Sequence, residues 1–216
     1  MMRVRFSLPA PILRCDVHNF DDIKNLIKGK TVAIVGNAES LLQKEDGIMI
    51  DGFQVVIRMN FGYTFAPHLN RYVAPTQLGK RTTLVAAGNA VNLLNDMHRF
   101  PNAYHLIHMS GGNRNETWEK YSDRYYTYPE EWYIELKNLL TSRPSTGMMV
   151  FDMVKNCNPD YVTLFGFDFK RTKTYYNDGT NSRDLEDVKN PIGPHNWKRE
   201  QEYTISICRN NGWDII

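Results

Sequence analysis

The sequence lacks the features that mark membrane-spanning and disulfide-rich proteins. Among its 216 residues there are only three cysteines, and no apolar run approaches the roughly 18 residues that a membrane-spanning helix needs. Cys15, Cys157 and Cys208 are far apart and odd in number, which argues against a disulfide framework or a zinc site and favours a reducing compartment. Prolines interrupt the short apolar stretch near residue 10 before a signal-peptide core could form. We therefore expect a soluble, cytoplasmic protein with no membrane span.

The net charge is also small, and the common nucleotide-binding sequence motifs are absent. Lysine and arginine total 26 against 24 acidic residues, a net charge of +2 that does not by itself indicate a nucleic-acid partner. No G-x-G-x-x-G follows the first strand-like segment, so the hypothesis of a hydride-transfer enzyme lacks its main sequence evidence. Residues 29–31 (GKT) resemble the end of a P-loop, but Lys24 stands where that motif needs a glycine. No D-x-D metal motif is convincing, Asp168 being the closest isolated acid, so we expect metal independence and no metal-binding residues.

What the sequence does contain is the alternation typical of one α/β domain, which we expect to span residues 1–216. Of these residues 42% are apolar, enough for a substantial core. Alternating strands and helices predict a Rossmann-like, mostly parallel sheet with helices on both faces. Strands are predicted at 31–35, 53–58, 83–87, 103–108 and 161–166. Helices are predicted at 21–27, 38–44, 90–97, 129–141, 145–156 and 197–210.

Two local patterns suggest a ligand site. Gly36 and Asn37 form a tight turn after the first strand, and in open α/β sheets such turns face the ligand crevice. Taken alone, the pair also fits an ordinary turn. Pro144, Ser145 and Thr146 are typical of a helix N-terminus, where free N–H groups and the helix dipole suit a phosphate. Taken alone, this segment also fits a plain N-cap. The long polar stretch at 168–196 is predicted to be functional or mobile.

Four groups of residues, in chain order, resemble the motifs of the sialyltransferases, glycosyltransferase family 29. They cover residues 31–200 in the order that the family shows. The large sialyl motif is matched by 33–37 (AIVGN), 50–60, which ends in VIRMN, and 79–83 (GKRTT). The small motif is matched by 144–147 (PSTG) and 162–167 (VTLFGF). Tyr175 and Tyr176 stand at the third motif, and His195 with Glu200 reproduces the H-x-x-x-x-E motif.

The resemblance implies a variant GT-A-like glycosyltransferase fold and a role for each matched residue. Asn37 and Asn60 would contact the phosphate and ribose of the nucleotide, and the helix start at 145–147 would hold it. His195 would be the general base. The nucleotide-binding residues implied in this way are Gly36, Asn37, Arg58, Asn60, Ser145, Thr146, Gly147, Tyr175 and Tyr176.

The role of His195 also makes chemical sense on its own. A free imidazole has a pKa of about 6.5, so it can accept the proton of a hydroxyl that attacks an anomeric carbon. Charge that develops on the departing phosphate needs hydrogen-bond donors already in place. A single displacement inverts the anomeric carbon. Glu200 would lie in the first turn of the last helix, and we expect it to support the loop that carries His195.

The sequence departs from the family at three positions. Val32 and Pro159 replace the cysteines of the family's disulfide, and Thr174 replaces the leading histidine of the third motif. The implied donor is CMP-sialic acid and the implied acceptor is a glycan hydroxyl, with no cofactor beyond the donor. One alternative is a UDP-sugar transferred to a hydroxylated DNA base, suggested by basic and aromatic stretches at 118–128 and 170–176. Another is a non-catalytic protein that binds nucleotide or glycan.

Overall fold

The computed structural model describes residues 20–60, 62, 65–66, 71–72, 75–88, 105–109, 125–172, 174–175 and 195–216. The helix predicted at 90–97, Tyr176 and most of the long polar stretch lie outside them.

A seven-stranded parallel sheet forms the centre of the fold, as the alternating pattern predicts. Its strands lie in the order β7-β6-β5-β2-β1-β8-β9, and every neighbouring pair is parallel. Strands β2, β5, β6 and β7 therefore follow one another on one side of β1, whereas β8 and β9 lie on its other side. The sheet strands are β1 (Thr31–Val35), β2 (Val55–Met59), β5 (Leu84–Ala87), β6 (His105–His108), β7 (Tyr126–Thr127), β8 (Tyr161–Phe165) and β9 (Asp214–Ile215).

Both faces of the sheet are buried, as expected for parallel strands covered by helices. In β1, Val32 and Ile34 point into the larger core cluster, whereas Ala33 and Val35 point into the smaller one. This alternation follows from the two-residue period of a strand. Helices α1 (Phe20–Ile27), α4 (Glu130–Leu140), α5 (Thr146–Asn156) and α6 (Trp197–Asn211) contribute to the larger cluster. A 3₁₀ helix (Glu39–Gln43), α2 (Gly47–Gly52) and α3 (Pro75–Leu78) contribute to the smaller one.

With one exception, the predicted elements that fall on described residues are confirmed, with ends shifted by at most two residues. One differs in type, since the helix predicted at 38–44 is the short 3₁₀ helix. Helix α6 ends where predicted, because Gly212 adopts a left-handed conformation (φ 66°) and stops it. Cys157 and Cys208 are buried free thiols, and burial raises the pKa of Cys157 to about 12. Six short elements of the described residues were not predicted: α2, α3, β7, β9 and the two strands β3 (Phe65–Ala66) and β4 (Arg71–Tyr72), which pair with each other.

Candidate active site

A cleft of about 340 Å³ opens at the carboxyl ends of the central strands. Its floor follows directly on from β1, β2 and β8, and the start of α5 and the start of α6 form its far side. Between β1 and β8 the order of strand connection reverses, and this is where open α/β sheets bind their ligands. The topology therefore explains why segments that are more than 100 residues apart in the chain meet at this place.

One side of the cleft, here called the strand-end wall, consists of Gly36, Asn37 and Asn60. The Asn37 amide donates to the carbonyl of Met59 (3.3 Å), which ties the end of β1 to the end of β2. Asn60 adopts a left-handed conformation (φ 50°), which asparagine tolerates better than most residues. Its side-chain oxygen accepts from the N–H of Gly88 (3.0 Å). This wall is therefore held by uncharged amide contacts.

Three glycines allow the segments of the cleft to approach one another closely. A Cβ on Gly36 would overlap the carbonyl oxygen of Gly166, and one on Gly62 would overlap the side-chain oxygen of Asn37. A Cβ on Gly88 would meet the hydroxyl of Thr146 at 2.5 Å. At all three positions, a polar atom from another segment occupies the space that a side chain would need.

The opposite side, here called the helix-start wall, consists of Ser145, Glu200 and His195. Ser145 caps α5, with its hydroxyl accepting from the N–H of Met148 (3.1 Å). Glu200, in the first turn of α6, accepts from the N–H of Ser145 (2.8 Å) and from its hydroxyl (2.6 Å). A buried carboxylate thus fixes the start of one helix against the start of another.

Glu200 is 2% exposed, and burial raises its pKa to about 7 from an ordinary 4.5, although the two hydrogen bonds from Ser145 oppose this rise. The carboxyl group can therefore change charge near neutral pH. We expected Glu200 to support the loop that carries His195. Its hydrogen bonds instead go to Ser145, so it acts on the helix that faces this loop.

His195 is positioned by the segment that precedes α5. Its Nδ1 lies 2.7 Å from the carbonyl oxygen of Arg143, and because a carbonyl only accepts, Nδ1 must carry the proton. The basic nitrogen of the neutral ring is then Nε2. The ring also packs edge to face against Trp197, with ring centroids 5.1 Å apart. These contacts fix both the tautomer and the orientation of the imidazole.

Most of the predicted site residues meet in this cleft. Those that line it are Gly36, Asn37, Asn60, Ser145, Thr146, Gly147 and His195.

Arg58 does not line the cleft, so the prediction that its side chain binds the nucleotide is corrected. The side chain is 0% exposed. Its guanidinium donates to the carbonyl oxygens of Leu78 (2.5 Å) and Arg81 (3.1 Å) and to the hydroxyl of Thr82 (3.1 Å). Arg58 lies one residue before the end of β2, and its buried side chain is bonded to the 78–82 segment and not to any residue of the cleft lining. It therefore anchors the segment before β5.

Tyr175 is also absent from the cleft lining. Its ring is 5% exposed in the smaller core cluster, and its N–H donates to the carbonyl of Asn37 (2.9 Å). Tyr175 therefore supports the turn after β1 from the side of the smaller core cluster. Tyr176, predicted with it, lies outside the described residues. In the aromatic stretch at 118–128, Tyr125, Tyr126 and Tyr128 are 6%, 5% and 1% exposed, so these rings belong to the interior rather than to a stacking surface.

The segment after β8 contributes lining residues that the sequence did not identify as site residues. Phe167, Asp168, Phe169, Lys170 and Thr172 all line the cleft. The carboxylate of Asp168 accepts from the N–H groups of Lys170 (3.0 Å) and Thr172 (2.7 Å), the pattern of an Asx turn. This turn could have been found from the sequence, because an aspartate lies just after a predicted strand and a threonine follows it four residues later. Trp197 and Thr204 also line the cleft without having been predicted.

The described part of the chain contains no group of three or more His, Cys, Asp or Glu side chains arranged to bind a metal ion, and metal independence stays a prediction. None of its helices combines the length and the apolar character that crossing a membrane would require.

Comparisons with known proteins give matches to solved structures. No protein-family model matches the sequence, and no curated protein matches it. The fold is similar to that of the monofunctional α-2,3-sialyltransferase Cst-I from Campylobacter jejuni, with a TM-score of 0.59 and 15% identity over 87% of this chain and 74% of that one. It is also similar to CstII from the same organism in complex with cytidine 5′-monophosphate, with a TM-score of 0.54 and 17% identity over 87% and 79% of the two chains.

A mammalian sialyltransferase in complex with Gal-β-1-3GalNAc-ortho-nitrophenol is similar as well. Its TM-score is 0.54, with 17% identity over 89% of this chain and 71% of that one. At these identities the likeness establishes the fold, a Rossmann-like sheet of the variant GT-A-like type.

Proposed function

We propose that this protein is an inverting, metal-independent glycosyltransferase. It transfers a sugar from a pyrimidine nucleotide sugar, with CMP-sialic acid as the donor, to a hydroxyl group of a glycan. The observation that carries the proposal is the meeting of Asn37, Asn60, the helix start at 145–147 and His195 in one cleft. These are the residues that the family resemblance assigns to the nucleotide and to the base. The shared fold with sialyltransferases, one of them bound to cytidine 5′-monophosphate, supports the same proposal.

The start of α5 suits the phosphate of such a donor. The first N–H groups of a helix have no partner within the helix. Among the described residues, the N–H of Ser145 donates to Glu200 and that of Met148 donates to the Ser145 hydroxyl. Thr146 and Gly147 lie between them in the first turn of the helix, and both residues line the cleft, so their N–H groups are the candidates for this contact. Together with the positive end of the helix dipole, they can bind a phosphate oxygen.

His195 is suited to act as the base in a single displacement. Its Nδ1 proton is held by the Arg143 carbonyl, so Nε2 can take the proton of the acceptor hydroxyl. The hydroxyl oxygen then bonds to the anomeric carbon while the bond from that carbon to the phosphate oxygen breaks. The electron pair of the broken bond stays on the phosphate, and the anomeric configuration inverts.

A thermal-shift panel with CMP, CDP, UMP and UDP and their sugar conjugates tests the donor. A ligand that binds only the folded state adds about 2.7 kcal/mol of stability at one hundred times its Kd. We expect CMP and CMP-sialic acid to raise Tm, with a smaller effect from the uridine nucleotides. A panel in which no pyrimidine nucleotide raises Tm would contradict the proposal. A response to UDP and UDP-sugars alone would overturn CMP-sialic acid as the donor.

Release of CMP from CMP-sialic acid in the presence of a galactose-terminated glycan tests the activity itself. We expect the wild-type protein to release CMP and His195→Ala to bind CMP without releasing it. A protein that binds CMP tightly but never turns over would be the non-catalytic binder instead.

A further inference from the structure

One cationic side chain stands out in the cleft. Among the described residues that line it, Lys170 is the only lysine or arginine. The strand-end wall is uncharged, the helix-start wall contains the carboxyl group of Glu200, and Asp168, whose carboxylate is bonded within its own turn, is the other acidic residue of the lining. For an anion bound here, Lys170 therefore supplies the only permanent positive side-chain charge in the described lining.

The backbone around Lys170 is held in an unusual conformation. Phe169 (φ 54°) and Lys170 (φ 64°) are consecutive non-glycine residues in the left-handed region. This conformation costs about 1–2 kcal/mol per residue. The side chain of Asp168 compensates by accepting from the N–H of Lys170, and from both the N–H and the hydroxyl of Thr172. Strain that neighbouring groups maintain in this way is concentrated at functional sites.

The ammonium group of Lys170 is directed toward the turn after β1. Its Nζ donates to the hydroxyl of Thr174 (3.3 Å). Thr174 in turn forms an antiparallel bridge with Ala38, and the N–H of Tyr175 donates to the carbonyl of Asn37. The charge therefore lies on the side of the cleft where Gly36 and Asn37 leave the sheet, so a phosphate that contacts both Lys170 and the start of α5 would lie between the two walls.

We propose that Lys170 is a catalytic residue that forms an ion pair with the departing phosphate of the nucleotide. This inference rests on the proposed function. A nucleoside monophosphate sugar is a phosphodiester with one negative charge on its phosphate. When the bond to the anomeric carbon breaks, the phosphate keeps the electron pair and becomes a monoester with a second negative charge, while the acceptor proton passes to His195. Lys170 stabilises the added charge, so it stabilises the transition state more than the bound donor.

This role predicts that Lys170 contributes differently to the binding of two related ligands. Lys170 should matter for CMP, whose phosphate carries the product charge, and should not matter for cytidine, which has no phosphate. Its contribution to turnover should exceed its contribution to donor binding, because the charge is largest after the bond has begun to break. If Lys170 only maintained the loop, its substitution would change the affinities for CMP and for cytidine to the same extent.

Calorimetric titration of CMP and of cytidine into Lys170→Met and Lys170→Arg tests the assignment. We expect Lys170→Met to bind CMP about tenfold or more weakly, as for loss of a charged hydrogen bond, with unchanged affinity for cytidine. Its kcat with CMP-sialic acid should fall about 100-fold, with a smaller change in KM. Lys170→Arg should retain most of the CMP affinity. Should methionine prevent folding, Lys170→Gln provides a second neutral variant, and cytidine binding shows that the variant is folded.

Lys28→Met is the matched control, because Lys28 is exposed and lies before β1, at the opposite end of the strand from the cleft. It removes the same charge and should leave CMP binding unchanged. Equal CMP affinity in wild type and Lys170→Met would overturn the assignment of Lys170 and leave the proposed function intact. A wild-type protein that binds no CMP would overturn the proposed function and this inference with it.

Discussion

The two walls of the cleft are built by different physical means. The strand-end wall is held by amide hydrogen bonds and by close approaches at glycines, so it carries no charge that changes with pH. The helix-start wall depends on a buried carboxyl group whose pKa is raised to about 7, and on an imidazole with a fixed tautomer. The comparison indicates that one wall supplies a rigid shape, while the other supplies the groups that can gain or lose protons.

The largest expected effect is on turnover and comes from the helix-start wall. His195→Asn can keep a donor toward the Arg143 carbonyl, but it removes the basic nitrogen. We expect kcat with CMP-sialic acid and a glycan acceptor to fall about 100- to 10,000-fold, the usual range for loss of a general base. CMP affinity, measured by calorimetry, should change little. Turnover at the wild-type rate would show that His195 is not the base.

The second prediction concerns how the stability of the helix-start wall depends on pH. Because the pKa of Glu200 is higher in the folded state than in the unfolded one, the folded protein binds more protons between pH 4.5 and about 7. Stability from this group is therefore lost as the pH rises through that window, by about 3 kcal/mol. Glu200→Gln should remove this part of the pH dependence in urea unfolding.

Glu202→Gln is the control for that measurement. Glu202 lies on the same helix, but its side chain is 64% exposed, so its substitution should leave the pH dependence as it is in wild type. Identical pH profiles for wild type and Glu200→Gln would show that the carboxyl group is not perturbed in the folded protein.

The third prediction tests the shape of the strand-end wall. Gly36→Ala places a methyl group against the carbonyl of Gly166, so β1 and β8 must separate locally. We expect the free energy of unfolding to fall by about 1–3 kcal/mol, as for overpacking of a core. Gly52→Ala is the control, since a Cβ at Gly52 meets nothing within 4 Å. Equal effects of the two substitutions would mean that close approach is not what Gly36 provides.

The smallest expected effect comes from Asn60 in the same wall. Asn60→Gly keeps the left-handed conformation accessible but removes the hydrogen bond from the Gly88 N–H. Loss of that bond should lower the free energy of unfolding by about 1 kcal/mol in urea denaturation. Asn158→Gly, at an exposed residue with a similar φ of 53°, provides the control for the change of residue type. A larger loss at Asn158 would argue against the role given to the Asn60 side chain.

Much of the strand-end wall could be predicted because its signals are local. The apolar run before Gly36 indicates a buried strand, and Gly36 with Asn37 indicates the turn that ends it. Ser145 was identifiable in the same way, as an N-cap before a helical segment. Where a residue's role depends on its immediate neighbours in sequence, the pattern alone was sufficient.

The role of Arg58 could not be predicted locally. A charged residue in an apolar strand needs partners, and a ligand phosphate is one way to supply them. The actual partners of Arg58 are two carbonyls and a hydroxyl that lie 20 to 24 residues further along the chain. No pattern in the sequence shows that this later segment folds back over β2. Helix α2 was missed for another reason, because it begins and ends with glycine, a poor helix former.

The glycines at 36, 62 and 88 also limit how such a cleft can change over evolutionary time. Because backbone or side-chain atoms of other segments already fill the space beside them, substitutions there would push apart the segments that these glycines allow to meet. Under the proposed function, a shift toward a bulkier or smaller sugar is therefore easiest through the segments beyond the strand ends, around 167–172 and 195–197. In related proteins we expect these segments to vary while the three glycines are retained.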